Sequence, residues 1–197
     1  MKNLDVEHVL FWMDAIRDSS DRYRTLESFW KGQIRSKIWL IENISKFIDK
    51  EVSFEIHGGW NGILASLLFQ SNLQIKHITN IDIDPVCKPI AEKANQIELE
   101  QGQFTHIVDD ITNYKSKADV VINTSCEHLT QTTYNNWIEQ KNSNCLLVLQ
   151  SNNYEINEHV RIARSIEEFK KQSAIKCYDS KTLDLPLYSR YMLIGSK

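Results

Sequence analysis

The stretch VSFEIHGGWNG, Val52 to Gly62, decides how this chain is read. Val52–Ile56 is a short β-type run that stops at His57-Gly58-Gly59. Gly62–Ser71 then follows as an apolar helix pattern, with Ile63, Leu64, Leu67 and Leu68 at helical spacing. Gly58, Gly59 and Gly62 let the backbone turn sharply and pass close to a ligand, and the helix behind them offers unpaired N–H groups. A plain strand-to-helix turn that binds nothing would look the same, so the loop needs support from elsewhere in the chain.

The alternation continues downstream. Lys76–Ile83 reads as a second strand, and Pro85 begins a helix through Ile97. Phe104–Val108 is a third strand and Ala118–Asn123 a fourth, whose Val120-Val121-Ile122 run suits a strand buried on both faces. Thr130–Lys141 reads as helix, Asn144–Gln150 as a fifth strand, and Glu158–Gln172 as a charged amphipathic helix. Ile175–Tyr178 and Tyr191–Gly195 are two more strands around a turn at Pro186, and their connection is too short for a helical crossover. The expectation is an α/β fold with a seven-stranded, mainly parallel sheet and an antiparallel last strand. Upstream, Val9, Leu10, Trp12, Met13 and Ile16, then Ile34, Ile38, Ile41, Ile44 and Phe47, fall at helical spacing. Residues 1–50 are therefore read as an N-terminal helical segment of the same domain, on the lid or substrate side, in front of the main unit 51–197.

Composition bounds the function. A chain of 197 residues holds one full core, and 42% hydrophobic with 25% charged residues argues against disorder or a coiled coil. The net charge of -3 weakens any reading with a broad basic nucleic-acid surface. Locally, Arg22, Arg24, Arg35 and Lys37 form the one basic stretch, able to meet an anionic substrate or simply to face solvent. No apolar run is long enough for a membrane span, and MKNLDVEHVL lacks the apolar core of a signal peptide. Cys87, Cys126, Cys145 and Cys177 show no CxxC spacing, so no metal site is expected, and free thiols in the cytoplasm are.

In open α/β sheets, ligands sit beyond the carboxyl ends of the strands. Asp82 ends the second strand 20 residues beyond Gly62, the geometry for gripping both hydroxyls of a ribose. Asp84, directly before Pro85, suits a helix cap instead. Asp109 and Asp110 end the third strand, where a carboxylate accepts from an exocyclic amine such as adenine N6 or merely faces solvent. Asn123-Thr124-Ser125-Cys126-Glu127-His128 follows the fourth strand, and Gln150 to Tyr154 follows the fifth. Glu127 and His128 are the only acid–imidazole pair near the end of the fourth strand, read as base or substrate anchor, or else as cap of the next helix. His57 either holds a ligand carboxylate or braces the loop, and Trp60 either covers the ligand or packs on the N-terminal helices. Cys126 is a weaker nucleophile candidate.

The order of these features resembles the class I S-adenosylmethionine (SAM)-dependent methyltransferases. Their first motif is acid-x-Gly-x-Gly-x-Gly; here Glu55 matches the acid and Gly59 the middle glycine, His57 and Asn61 replace the other two, and Gly58 and Gly62 stand one position later. The strings GGWNGILASLLF, IDIDP, VVINTSCEHLT and LQSNNY are similar to small methyltransferase-like proteins of tailed bacteriophages, over roughly Ser53 to Gly195. The resemblance implies a three-layer Rossmann-like sandwich and SAM as cofactor, held by Glu55, His57, Gly58, Gly59, Trp60, Gly62, Asp82, Asp109, Asp110 and Asn123. It implies methyl transfer to a small-molecule or unidentified substrate, with Glu127 and His128 on the acceptor side. Another reaction of the same cofactor, or a non-catalytic binding protein on the same fold, are the alternatives. Neither the acceptor nor the oligomeric state is implied.

Overall fold

The apolar runs become strands β1 (Val52–His57), β2 (Ile75–Asp82), β3 (Phe104–Val108), β4 (Val120–Asn123), β5 (Leu146–Asn152), β6 (Lys176–Asp184) and β7 (Ser189–Ser196). The structure, a computed structural model, describes residues 5–197, so the first four residues of the expected N-terminal segment lie outside it. The strands form one sheet in the order β3-β2-β1-β4-β5-β7-β6. All pairings from β3 to β5 are parallel, and β7 runs antiparallel to both β5 and β6. The chain winds outward from β1 through β2 to β3, then returns to lay β4 on the other side of β1. The carboxyl ends of β1 and β4 therefore form a topological switch point, where the flanking connections leave toward opposite edges and open a crevice.

Helices cover both faces. One layer holds α1 (Val6–Asp18), α2 (Arg22–Glu27), α3 (Lys31–Ile44), α4 (Ile63–Phe69), α5 (Cys87–Ala94) and α6 (Gln96–Glu100). Its core joins Leu40 and Ile44 of α3, Leu64 and Leu68 of α4 and Ala91 of α5 to Phe54, Ile56, Ile78 and Phe104 of the sheet. The opposite layer holds α7 (Gln131–Glu139) and α8 (Ile166–Ser173), where Tyr134, Trp137 and Phe169 meet Val121, Leu147, Leu149 and Leu193. The N-terminal helices share the first core: Trp12 packs against it and donates from Nε1 to Ser66 Oγ of α4 at 2.9 Å. Among the described residues no helix is long and apolar enough to cross a membrane, and all four cysteines are free.

Three expectations are corrected. The helix expected over Glu158–Gln172 starts only at Ile166, capped by Ser165, whose side chain accepts from Glu168 N–H. Upstream, the N–H groups of Arg161 and Ala163 go to Glu127 O and Asn152 O, so these residues are tied to the strand ends instead of closing helical turns. The helix expected from Pro85 to Ile97 breaks at Asn95, whose side-chain amide donates to Gly62 O and Ala91 O. The last two strands are longer than expected, because β6 is an edge strand whose exposed polar residues carry no apolar signal.

The first layer also buries a histidine. His106 of β3 accepts on Nδ1 from Asn80 Nδ2 at 3.0 Å, and burial pushes its pKa down to about 4. Unfolded, the ring takes its proton near 6.5, so the unfolded chain binds it first as pH falls. Stability is complete above pH 6.5 and is lost as pH drops toward about 4. Urea titrations across that window should show the acid loss shrinking in His106→Gln; an unchanged pH slope would show that His106 does not carry it.

Candidate functional site

At the end of β1 the chain turns through two left-handed glycines, Gly58 at φ 67° and Gly62 at φ 71°. Gly59 between them meets a different constraint: a Cβ there would lie 1.9 Å from Asn80 Oδ1. Gly59 N–H donates to Ile81 O at 3.0 Å, and Asn80 Nδ2 donates to Trp60 O at 3.2 Å. The loop thus lies flat on the end of β2. Trp60 takes a left-handed backbone at φ 47°, and its N–H donates to Asp82 Oδ2 at 2.7 Å. Asp82 Oδ1 accepts from Asp84 N–H at 3.0 Å. Each carboxylate oxygen keeps a further lone pair, and the partly exposed side chain stands on the rim beside the loop.

Asp109 and Asp110 follow β3, the next strand along. Asp109 Oδ1 accepts from Asp110 N–H, and Asp110 Oδ1 accepts from both the N–H and the hydroxyl of Thr112 at 2.8 Å. On the β4 side Asn123 is buried; its Oδ1 accepts from Ser125 N–H, while its Nδ2 has no partner. Asn61, inside the loop, is buried with both amide atoms unpartnered. Buried amides are nearly always paired, so Asn61 and Asn123 mark the switch point as polar and unsatisfied within the chain itself. The residue pattern had marked Asn61 only as a missing glycine.

Glu55 and His57, expected to hold the cofactor, are engaged beneath the loop. Both side chains lie on the α7 face of β1, opposite Phe54 and Ile56. Glu55 Oε1 accepts from the N–H groups of Lys117 and Ala118 at 2.9 and 3.2 Å. Burial pushes its carboxyl up, but bonds from His57, Lys117 and Ser116 outweigh this and hold it below its ordinary value. His57 is fully buried, with Nδ1 accepting from Trp137 Nε1 at 3.0 Å and Nε2 facing Glu55 Oε2 at 3.4 Å. Burial holds the ring's pKa below its ordinary value. Lys141 completes this floor, donating to Ser116 Oγ and lying over Trp137; burial lowers its pKa to about 8.

Beyond β4, a 3-10 turn carries Cys126, Glu127 and His128. Cys126 is buried, and burial pushes its thiol up to about 12. Glu127 turns inward, accepting on Oε1 from Asn152 Nδ2 at 2.5 Å and Arg190 Nη1 at 3.1 Å. His128 is exposed and its Nδ1 bonds to Glu158 O at 3.1 Å. Arg190 and Asn152 come from β7 and β5, far from Glu127 in the chain; no local spacing links them. Lys37 of α3 is buried near Arg190, and burial lowers its pKa to about 7.

The N-terminal helices reach both ends of the crevice. Arg24 of α2 pairs with Asp84 Oδ2 at 2.6 Å, and Asp84 Oδ1 accepts from Val86 N–H, so Asp84 braces the start of α5. At the other end, a Cβ on Gly32 of α3 would lie 3.4 Å from the Tyr188 hydroxyl, at the start of β7.

No family model matches the chain, and a search of the curated proteins returns no match. Solved structures do share the fold. The magnesium protoporphyrin IX methyltransferase ChlM from Synechocystis PCC 6803, with bound SAH, superposes at a TM-score of 0.65 and 13% identity, covering 95% of this chain and 92% of that one. The pyocyanin biosynthetic protein PhzM gives 0.66 and 13%, covering 94% of this chain, which spans only 62% of PhzM. MtNAS in complex with MTA and tNA gives 0.61 and 14%, covering 96% and 70%. At these identities the likeness establishes a class I methyltransferase-type fold.

Gly59→Ala tests the loop's seating. The added methyl meets the Asn80 amide, and overpacking of this kind costs about 1–3 kcal/mol. Chemical denaturation should show that loss. Equal stability of wild type and Gly59→Ala would mean that the loop does not press on Asn80.

Proposed function

We propose that this chain is a SAM-dependent methyltransferase acting in the cytoplasm on an unidentified substrate, akin to the phage-encoded proteins its strings resemble. The observation that carries the reading is the 2.7 Å bond from Trp60 N–H to Asp82 Oδ2, which brings the glycine loop and the ribose acid to one rim at the switch point. The unpartnered amides of Asn61 and Asn123 fit a polar ligand there.

In this reading Asp82 accepts from the ribose hydroxyls, and Asp110, with Asp109 beside it, accepts from the adenine amine. Gly58, Gly59, Trp60 and Gly62 shape the loop along the ligand, and the Asn123 and Asn61 amides meet its polar groups. Glu55 and His57 act from beneath, as positioning residues. The cofactor supplies an electrophilic methyl carried on a sulfonium. The acceptor side is the turn with Glu127 and His128, the loop from Asn153 to Arg164, and the arm from α2 into α3. There the chain must hold the nucleophile in line with the methyl and exclude water. Another group transfer from the same cofactor is the second reading, favoured by the likeness to MtNAS, whose structures hold S-adenosylmethionine in one case and MTA with tNA in another.

Calorimetry with SAM and its demethylated product tests the proposal. Both should bind and raise Tm. Asp82→Asn should weaken binding by about 1–3 kcal/mol, roughly ten- to hundredfold. A chain that binds neither compound, while folded by circular dichroism, would overturn the reading.

A further inference from the structure

Glu127 was read above as an acceptor-side anchor, yet only half of its carboxylate is used. Oε1 accepts from Asn152 and Arg190, while Oε2 is buried without any partner. A carboxylate oxygen in that state costs free energy unless something positive reaches it. Two imidazoles stand beside it. His128 follows in the same turn, and His159 comes from the loop between β5 and α8, more than thirty residues away in sequence. One donor atom from each of Glu127, His128 and His159 lies within 4.8 Å of the other two.

The ring orientations are informative. His128 Nδ1 lies 3.1 Å from Glu158 O, and His159 Nδ1 lies 2.7 Å from Tyr154 O. A carbonyl only accepts, so each Nδ1 carries the hydrogen and each Nε2 is left with its lone pair. The two rings meet edge to face, with centroids 4.7 Å apart at 82°. A ring N–H fixed on a backbone carbonyl, which leaves the other nitrogen free to ligate, is how histidines that bind metal are oriented.

We infer that Glu127, His128 and His159 form a binding site for a divalent first-row transition-metal ion. Two imidazole nitrogens and one carboxylate oxygen suit Zn, Fe, Mn or Co, and not Ca or Mg, which take oxygen ligands. Donors about 2.1 Å from a shared ion stand no more than about 4.2 Å apart, so the three ligand atoms, now within 4.8 Å, would draw together slightly on binding. Three protein ligands leave coordination positions open on the solvent side. Arg190 is bonded to Oε1, which leaves Oε2 as the carboxylate oxygen for the ion. The sequence pattern argued against a metal because its cysteines lack ligand spacing, and this set is assembled from two separate loops. The assignment rests on ligand geometry and does not depend on the methyltransferase reading.

The test is a titration of the full chain, without SAM, with Co²⁺ followed by its visible absorption, and equilibrium dialysis with Zn²⁺ and Mn²⁺. The expected result is saturable binding of one ion per chain. His159→Ala and His128→Ala should each weaken it at least about tenfold, since even outer partners of metal ligands are worth that much. His128 is exposed and His159 half-buried, so circular dichroism and Tm without metal check that each variant stays folded; His77→Ala, on β2, should leave affinity unchanged. Wild-type chain without saturable binding at millimolar metal would overturn the inference, as would affinity that neither variant lowers. Asp82→Asn separates the two readings: it should weaken SAM binding and leave metal affinity unchanged. A chain that binds metal but not SAM would sustain this site while removing the proposed function.

Discussion

The Asp82 carboxylate is the fastening on which the crevice depends. One oxygen holds Trp60 N–H and the other holds Asp84 N–H, so a single side chain ties the loop after β1 to the turn after β2. Bonds from N–H groups to an ionised oxygen are the stronger kind. Gly59 adds a backbone bond to Ile81 and lies so close to Asn80 that no side chain fits. The path of the loop is therefore set by its contact with β2. This explains how His57 and Asn61 stand where the methyltransferase motif has glycine. The close approach falls on Gly59, the left-handed turns fall on Gly58 and Gly62, and the substituted positions carry neither demand.

His57 has a second task that glycine could not perform. Glu55, His57, Trp137, Ser116 and Lys141 form a hydrogen-bonded floor between β1 and α7. Each member satisfies another in a region with little water, where an unpaired polar group costs about 1–3 kcal/mol. The floor locks the end of β1 from one face while Asn80 and Asp82 lock the loop from the side. The rim residues are thus carried on a support whose own side chains are already fixed.

The acceptor side is organised by a different pair, Glu127 with Arg190. Their bond joins the turn after β4 to β7, and Asn152 joins both to β5. The same strand ends capture the following loop through the N–H groups of Arg161 and Ala163. That capture keeps residues 158–164 out of helix and carries His159 back to the turn. Above it, the arm from Arg24 to Gly32 spans from the end of β2 to the start of β7. Loops held at both ends by a rigid sheet are a common setting for binding residues.

Local pattern was enough to place most of the sheet. Val120-Val121-Ile122 could only be a strand covered on both faces, and the glycine-rich turn followed by an acid 20 residues on reads as a strand–helix–strand unit from sequence alone. β6 was underestimated because Asp179 to Asp184 lies on an edge, where burial imposes no apolar pattern. Asp82, Asp110 and Asn123 were legible as rim candidates because strand ends in a parallel sheet converge whatever their side chains do. The directions of Glu55 and His57 were not. They alternate with Phe54 and Ile56, and only the packing of helices on each face tells which side looks into the protein. The meeting of Glu127 with Arg190, Asn152 and His159 was invisible for a related reason. Those contacts cross three strands and a loop, and neighbours in space that are distant in the chain leave no periodicity to read. What the amino-acid order determined was the succession of elements, since dihedral preference and apolar spacing act over a few residues. Which polar groups find one another was decided only when the strands were laid side by side, because that choice belongs to the sheet order and to burial, which no short stretch of chain contains.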